Sequence, residues 1–341
     1  MRAVANPWRG TGLSGMDDIP LPLADPSAAL ALVARCPRAA ETPLVAAPDL
    51  ARAAGVAELH VKDERGRMGL GSFKALGAAH VIARDAEANR AAGRTYVTAS
   101  AGNHGMSVAA GAAAFGAAAQ VFIAETVPES FAERLRATGA EVMRQGATYE
   151  DSMAAAEAHA EATGATLLSD SSWPGYTEPP HILMEGYLIL MAEAVHQMPA
   201  PPTHIFVQAG VGGLAAAVAA HARRAWGDAP RIVVVEPELA PALQASIEAG
   251  HAVTTTGGVS DMGRLDCKTP SLIALRGLAR DADDFVTITE DEAADGTARA
   301  AAAGLASTPS GAAGIAALLA AGDGFGLDAA SRVLAFLTEQ A

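Results

Sequence analysis

Short runs of Val, Ile, Leu and Phe alternate along this chain with longer stretches that are rich in alanine. The short runs are continuously apolar, as is typical of strands that are buried on both faces of a parallel sheet. Predicted strands cover residues 58–62, 95–98, 120–124, 141–143, 166–168, 204–207, 232–236 and 284–288. The clearest predicted helices cover residues 75–92, 107–115, 130–138 and 149–162. This alternation predicts an α/β protein whose largely parallel sheets are covered by helices on both faces.

The chain is longer than one compact core usually fills, and its 341 residues predict two domains or lobes. Proline-rich segments at residues 173–180 and 199–202 interrupt the pattern, and the second is a candidate crossing between domains. Residues 1–30 are rich in Pro, Gly and Asp, so they are predicted to form an irregular arm.

The composition excludes several classes of partner. Half of the residues are apolar and the mean hydropathy is +0.20, so a large buried core is possible. The formal net charge of −14 opposes binding to nucleic acid or to an anionic membrane surface. The charge sets no limit on a small-molecule substrate, because a site can be locally positive.

The cysteines and the apolar stretches indicate the cellular compartment in which the protein is expected. Cys36 and Cys267 are too few for a disulfide scaffold or a structural zinc site, so a reducing cytoplasm is expected. The arginines near the N-terminus are not followed by an apolar run, so no signal peptide is predicted. The longest weakly polar stretch, residues 108–124, is broken by glycines and predicts a helix, a turn and a strand rather than a membrane span. No metal ligands are assigned.

A lysine opens one of the predicted helices. Lys74 ends the segment Gly71-Ser72-Phe73-Lys74, which follows a predicted strand and a polar loop. The partial positive charge of a helix N-terminus lowers the pKa of such a lysine, as a nucleophilic lysine requires. The alternative is an exposed surface lysine without chemical function.

A loop of small residues follows the predicted strand 95–98. It contains Ser100, Ala101, Asn103 and His104. Backbone N–H groups in such a loop, at the carboxyl edge of a sheet, form a cradle for a carboxylate. The alternative is a simple turn in which Ser100 caps the helix and Asn103 adopts a positive φ.

A glycine-rich loop follows the predicted strand 204–207. It comprises Gly210, Val211, Gly212, Gly213 and Leu214. Glycines let the backbone approach a phosphate, which the next helix N-terminus then faces. Residues 210–215 also satisfy a dinucleotide-binding pattern, with Glu236 at the end of the next strand. A nucleotide-dependent oxidoreductase is therefore a competing hypothesis.

The last of the four segments, residues 307–314, opens the final long helix. Ser310 is a natural N-cap at this position. Alternatively, its hydroxyl faces the ring nitrogen of a cofactor.

The order of these four segments resembles the fold-type II pyridoxal phosphate (PLP) enzymes, the tryptophan-synthase-β-like family of dehydratases and ammonia-lyases. The resemblance extends from Thr42 to Gly314. Four further segments are similar to those of diaminopropionate ammonia-lyases: residues 61–64, 170–177, 184–187 and 267–271.

The resemblance implies a role for each segment. Lys74 would bind the cofactor aldehyde covalently, and Asn103 would contact its 3-hydroxyl. The cofactor phosphate would lie on Gly210, Val211, Gly212, Gly213 and Leu214. Ser310 would meet the pyridine nitrogen, where a neutral hydroxyl makes a weaker electron sink than an aspartate and favours elimination over transamination. The substrate carboxylate would be surrounded by Ser100, Ala101, Asn103 and His104.

The implied activity is α,β-elimination from a small L-amino acid, with 2,3-diaminopropionate giving pyruvate and ammonia. Asp170 would lie near the distal amine and select a cationic β-substituent, and its alternative role is a turn cap. Ala101 stands where the similar ammonia-lyases carry an aspartate that serves D-substrates, so we expect L-specificity and no racemase activity. Ala101 also makes the loop similar to L-serine and L-threonine dehydratases. A serine, threonine or 3-hydroxyaspartate dehydratase is therefore the alternative.

The family architecture implies a large domain, formed by residues 1–84 and 197–341, and a small domain, residues 85–196, inserted between its two parts. The cofactor would lie in the cleft between the domains. The family is commonly dimeric, so a homodimer is expected. A PLP-binding protein without turnover is the non-enzymatic alternative.

Overall fold

Eleven strands form two separate sheets in the computed structural model, which describes residues 1–341. The strands are β1 (Arg2–Ala5), β2 (Leu44–Ala46), β3 (Glu58–Asp63), β4 (Thr95–Ala99), β5 (Ala118–Ile123), β6 (Glu141–Arg144), β7 (Thr166–Leu167), β8 (His204–Gln208), β9 (Arg231–Pro237), β10 (Asp284–Ile288) and β11 (Arg332–Leu337). The larger sheet has the order β1-β10-β9-β8-β11-β3-β2, and the smaller has the order β6-β5-β4-β7. All pairings are parallel except those of the edge strands β1 and β2.

Twelve α-helices connect the strands and cover the sheets. The helices are α1 (Ser27–Val33), α2 (Pro48–Ala54), α3 (Lys74–Glu87), α4 (Asn103–Ala114), α5 (Glu129–Ala137), α6 (Tyr149–Thr163), α7 (Glu178–Gln197), α8 (Gly213–Trp226), α9 (Ala242–Ala249), α10 (Leu272–Asp281), α11 (Glu290–Ala302) and α12 (Pro309–Ala320). None of them is both long enough and apolar enough to span a membrane.

The larger sheet is buried on both faces. Along β9, Ile232 and Val234 pack into one apolar core with α3, α7, α8 and α10. The intervening Val233 and Val235 pack into a second core with α11 and α12. A strand that buries both faces needs apolar side chains at consecutive positions, which is why its sequence shows a continuous run instead of alternation.

The carboxyl ends of the strands carry the loops that the sequence analysis selected. Strand β3 leads through residues 64–73 to the start of α3, and β8 leads through the glycine-rich loop to α8. In the smaller sheet, β4 leads to the loop at Ser100 and β7 to the segment at Asp170. Parallel strands place their carboxyl ends along one edge, so these loops can build one site.

The α/β class with largely parallel, helix-covered sheets is confirmed. The bounds of the predicted strands agree with those of the structure to within two residues. The predicted helices 75–92 and 107–115 are less accurate, because they end at Glu87 and begin at Asn103 respectively.

The prediction that residues 1–30 form an irregular arm is wrong at both ends. Residues 2–5 form β1, which pairs antiparallel with β10 and sets Arg2 opposite Thr287. Helix α1 begins at Ser27. The strand was missed because it is a largely exposed edge without an apolar run, and its pairing partner is distant in sequence.

Candidate active site

Lys74 is the first residue of α3, at the end of a loop that the last strand holds in place. The backbone N–H of Phe73 donates to the carbonyl of Thr338 at 3.2 Å, and that of Gln340 donates to the carbonyl of Gly71 at 3.0 Å. The segment that follows β11 therefore fixes the backbone immediately before the lysine.

The ammonium of Lys74 forms an ion pair with the carboxylate of Asp170, and both side chains are largely buried. Burial alone would lower the pKa of Lys74, but the negative charge of Asp170 outweighs it and raises the pKa above its ordinary value. The helix position alone predicted a lowered pKa, and that prediction is wrong because it could not include Asp170. The carboxylate is engaged by the lysine and caps no turn.

The loop at Ser100 leaves the start of α4 without a side-chain cap. The N-cap of α4 is Gly102, and the hydroxyl of Ser100 accepts the N–H of Gly102 at 3.2 Å. The predicted turn with Asn103 at positive φ and Ser100 capping the helix is therefore wrong. The first N–H groups of α4 remain available to an anion, as a carboxylate cradle requires.

His104 is buried, and its Nε2 lies 2.9 Å from the carbonyl oxygen of Leu168. Its Nδ1 is also buried and has no hydrogen-bond partner. Burial lowers the pKa of His104, so the ring is neutral at neutral pH. The contact with Leu168 joins the Ser100 loop to the segment between β7 and Asp170.

Asn103 faces a carboxylate that the sequence analysis did not select. Its Nδ2 donates to Glu339, whose carboxylate also accepts the hydroxyl of Thr308. The Nε of Arg264 lies 3.7 Å from the same carboxylate. The guanidinium of Arg264 also lies 5.8 Å from the ring centroid of Phe131, on the smaller sheet's side of the cleft.

The glycine-rich loop leads into α8, and its glycines leave the backbone there uncovered by side chains. Gly212 has a φ of +99°, which favours glycine, and α8 begins at Gly213 without a side-chain cap. A Cβ on Gly210 would lie 3.0 Å from Sγ of Cys267 and 3.1 Å from the carbonyl of Arg264. The absence of these Cβ atoms keeps the loop close to its neighbours and exposes the N–H groups that a phosphate needs.

The carboxylate of Glu236 is hydrogen-bonded to the backbone of a neighbouring helix. Its two carboxylate oxygens accept the N–H groups of Leu243 and Gln244 at 2.7 and 2.8 Å, at the start of α9. The side chain is fully buried. It is therefore not free to bind a ribose, and the dinucleotide hypothesis loses the acidic residue on which it depended.

Ser310 is the second residue of α12, and the N-cap is Thr308, whose hydroxyl accepts the N–H of Gly311 at 3.0 Å. The interpretation of Ser310 as an N-cap is therefore wrong. The hydroxyl of Ser310 accepts the N–H of Arg264 at 3.0 Å and donates to no protein group. Its contact with a ring nitrogen stays a prediction.

Two further side chains close the site around Lys74. Burial, followed by the charge of Asp170, raises the pKa of Cys267 to about 12, so its thiol stays protonated. The phenol of Tyr187 is buried, and its Oη has no hydrogen-bond partner. The Nζ of Lys74 lies 5.9 Å from the centroid of the Tyr187 ring.

These residues fit pyridoxal phosphate. Lys74 offers the amine for its aldehyde, and the uncapped N-terminus of α8 offers backbone donors for its phosphate. The orphaned phenol of Tyr187 lies beside both. The predicted cofactor residues thus cluster at one edge of the larger sheet, while Asn103 approaches from the smaller one.

The comparisons with known proteins agree with this fit. The model of the family described as "Pyridoxal-phosphate dependent enzyme" matches residues 37–339. Diaminopropionate ammonia-lyase of Salmonella typhimurium is 32% identical over 295 residues, which cover 78% of this chain and 73% of that protein.

Two crystal structures of the Escherichia coli diaminopropionate ammonia-lyase share the fold at 27% identity. The complex with an aminoacrylate-PLP azomethine reaction intermediate has a TM-score of 0.89, and the complex with D-serine has a TM-score of 0.88. Each covers 99% of this chain and 93% of that one. The class is therefore that of the fold-type II enzymes that use pyridoxal phosphate. The chain belongs to the pyridoxal-phosphate dependent enzyme family, and it is a lyase.

Glu339 and Arg264 were not predicted as site residues from the sequence. Glu339 follows β11, a strand that was not predicted although Val333–Leu337 is a continuous apolar run. Recognising that run would have placed Glu339 at the same sheet edge as the glycine-rich loop. Arg264 lies in the irregular segment between α9 and α10, where no local pattern marks it.

Proposed function

We propose that this lyase eliminates ammonia from L-2,3-diaminopropionate, and that water then hydrolyses the released aminoacrylate to pyruvate and a second ammonia. The observation that carries the proposal is the ion pair of Asp170 with Lys74. A carboxylate that holds one ammonium at the reacting centre has the charge and the position to hold another, and the distal ammonium of this substrate is such a group. The similarity to diaminopropionate ammonia-lyases supports the same substrate.

When bound, pyridoxal phosphate supplies an electron sink that allows an amino acid to lose its α-proton and then its β-substituent. The protein supplies the binding and the proton transfer. The uncapped N-terminus of α4 binds the substrate carboxylate. When the distal ammonium of the substrate pairs with Asp170, Lys74 loses its ionic partner. Burial then dominates the pKa of Lys74 and lowers it. The neutral Nζ can then accept the proton from Cα.

The experiment compares ammonia release from L-2,3-diaminopropionate and from L-serine by the wild type and by D170N. We expect D170N to lower kcat/KM for the diamino acid by about 100-fold or more, because it removes the only countercharge of the distal ammonium. The rate with serine should change much less. D284N, which removes a buried carboxylate paired with Arg231, is the matched control.

Two outcomes would contradict the proposal. If D170N lowered both rates equally, Asp170 would act only on Lys74. If serine were the better substrate of the wild type, the chain would be a dehydratase, which the likeness of its Ser100–Ala101 loop to serine and threonine dehydratases supports as the alternative. We further propose a cytoplasmic homodimer with a small domain over residues 85–196. These boundaries lie inside α3 and at the end of α7.

A further inference from the structure

The phenol of Tyr187 is a buried hydroxyl without a partner. The residue is 1% exposed, and its Oη makes no hydrogen bond to a protein group, although the ammonium of Lys74 lies near enough to favour the ionised phenol. A buried polar group that makes no hydrogen bond is costly, and such groups are rare. The hydroxyl is therefore expected to bind something that is not part of this chain.

The ring of Tyr187 is held between two helix N-termini. Its Cε1 would lie 2.7 Å from a Cβ on Gly77, in the first turn of α3, and its Cε2 would lie 3.7 Å from a Cβ on Gly213, the first residue of α8. The ring also packs on Phe73 with centroids 4.9 Å apart. Because Cε1 and Cε2 flank the carbon that carries the hydroxyl, Oη lies close to the starts of both helices.

The surroundings of Oη favour an anion. The N-terminus of α8 has no side-chain cap, so its first N–H groups are free, and the ammonium of Lys74 lies 5.9 Å from the centroid of the Tyr187 ring. Asp170 already neutralises that ammonium, so the donors that remain for an anion are the backbone N–H groups at the start of α8. A phenol beside free backbone donors completes a set that suits a phosphate, which accepts several hydrogen bonds at once.

We infer that the Tyr187 hydroxyl donates a hydrogen bond to the phosphate group of the cofactor and so joins the glycine-rich loop in holding it. Burial raises the pKa of Tyr187 above its ordinary value, so the phenol keeps its proton and can donate at neutral pH. The inference is independent of the amino-acid substrate, since it concerns only the cofactor.

The test compares pyridoxal phosphate with pyridoxal, which lacks the phosphate but has the same aldehyde for Lys74. Dissociation constants for both are measured by absorbance titration of cofactor-free wild type and Y187F. We expect Y187F to weaken pyridoxal phosphate by about 10- to 100-fold, as the loss of a hydrogen bond to a charged group does, and to leave pyridoxal unchanged.

Y96F is the matched control. Tyr96, in β4 of the smaller sheet, is as buried as Tyr187. Its hydroxyl, however, donates to Asp85 at 2.8 Å. We expect Y96F to lower the Tm of the cofactor-free protein and to leave the ratio of the two dissociation constants unchanged. Y187F should keep or raise the cofactor-free Tm, because the hydroxyl that it removes has no partner there.

Three outcomes would overturn the inference. Equal affinities of wild type and Y187F for pyridoxal phosphate would show that the hydroxyl does not bind the cofactor. Equal weakening of both ligands would place it at the aldehyde and Lys74. A lower Tm of cofactor-free Y187F would show that the hydroxyl has a partner within the chain.

Discussion

Lys74 and Asp170 are 96 positions apart in the chain, and their side chains form an ion pair with each other. Neither side chain has a second ionic partner. The carboxylate outweighs the effect of burial and raises the pKa of the lysine. The lysine in turn lowers the pKa of Asp170 against the opposing effect of burial. The protonation of the amine at the centre of the site is thus set by a residue on the other side of the cleft.

The pair predicts how fast Lys74 captures an aldehyde. Condensation needs the neutral amine, so capture of pyridoxal by the wild type should accelerate about tenfold per pH unit between pH 7 and 9. D170N leaves burial to lower the pKa of Lys74, so capture at pH 7 should be at least about tenfold faster. Borohydride reduction followed by mass spectrometry of the Lys74 peptide measures the rate. Capture by D170N at the wild-type rate would contradict this account.

Ala101 predicts stereospecificity. Its methyl side chain cannot accept a proton, and Gly102 beside it has no side chain. We expect the wild type to process L-2,3-diaminopropionate at least about 100-fold faster than the D-isomer, since a positioned base contributes a factor of that size. Ammonia release from the separate enantiomers measures this ratio.

A101D provides the complementary test. The E. coli ammonia-lyase, which shares this fold, has a crystal structure in complex with D-serine. A carboxylate at position 101 should give measurable turnover of the D-isomer, and A101N should not. Comparable wild-type rates with both enantiomers would show that another group serves as the second base.

The strands were largely predictable, because burial on both faces leaves a continuous apolar run in the sequence. The exposed edge strand β1 has no such run, since its stability comes from backbone pairing with β10 and from Asn6, whose amide donates to the carbonyls of Ala279 and Ala282 at 2.8 and 2.7 Å. Local sequence cannot reveal a partner that lies more than half the chain away.

Most residues of the site could be predicted from the sequence, but the contacts between them could not. The glycines and Lys74 are recognisable from their positions after strands. The pairing of Asp170 with Lys74 and the convergence of Asn103, Thr308 and Glu339 depend on how two sheets face each other. Glu236 matched the dinucleotide-binding pattern in the sequence, but in the structure its carboxylate accepts N–H groups at the start of α9.

Glu236 predicts a pH dependence of stability. Burial raises its pKa to about 8, although two backbone N–H groups favour the charged form. A carboxyl whose folded pKa exceeds its unfolded value, near 4.5, contributes stability that is present below pH 4.5 and is lost as the pH rises towards 8. The free energy of unfolding of the wild type should therefore fall between pH 5 and 8 by a few kcal/mol more than that of E236Q. Urea titrations at several pH values measure the difference, and parallel curves would refute the assignment.

A second buried cluster predicts the stability of the loop that leads to Lys74. The Nζ of Lys62 and the Nη2 of Arg67 both lie 2.6 Å from Oε2 of Glu193, and Arg67 also binds Glu64. Lys62 and Arg67 are fully buried, so Glu193 is the carboxylate that both cations share. Arg67 belongs to the loop between β3 and α3, so the cluster fastens that loop to α7.

We expect E193M to lower the free energy of unfolding by about 3–5 kcal/mol, because it leaves buried cations with less countercharge. The double variant K62M/E193M should recover much of that loss, since an apolar pair of similar volume replaces an ion pair at little cost. Urea denaturation with global fitting measures both values. A double variant less stable than E193M would mean that Lys62 contributes mainly through its bonds to the Thr42 carbonyl and to Gln197, at 2.7 and 2.9 Å.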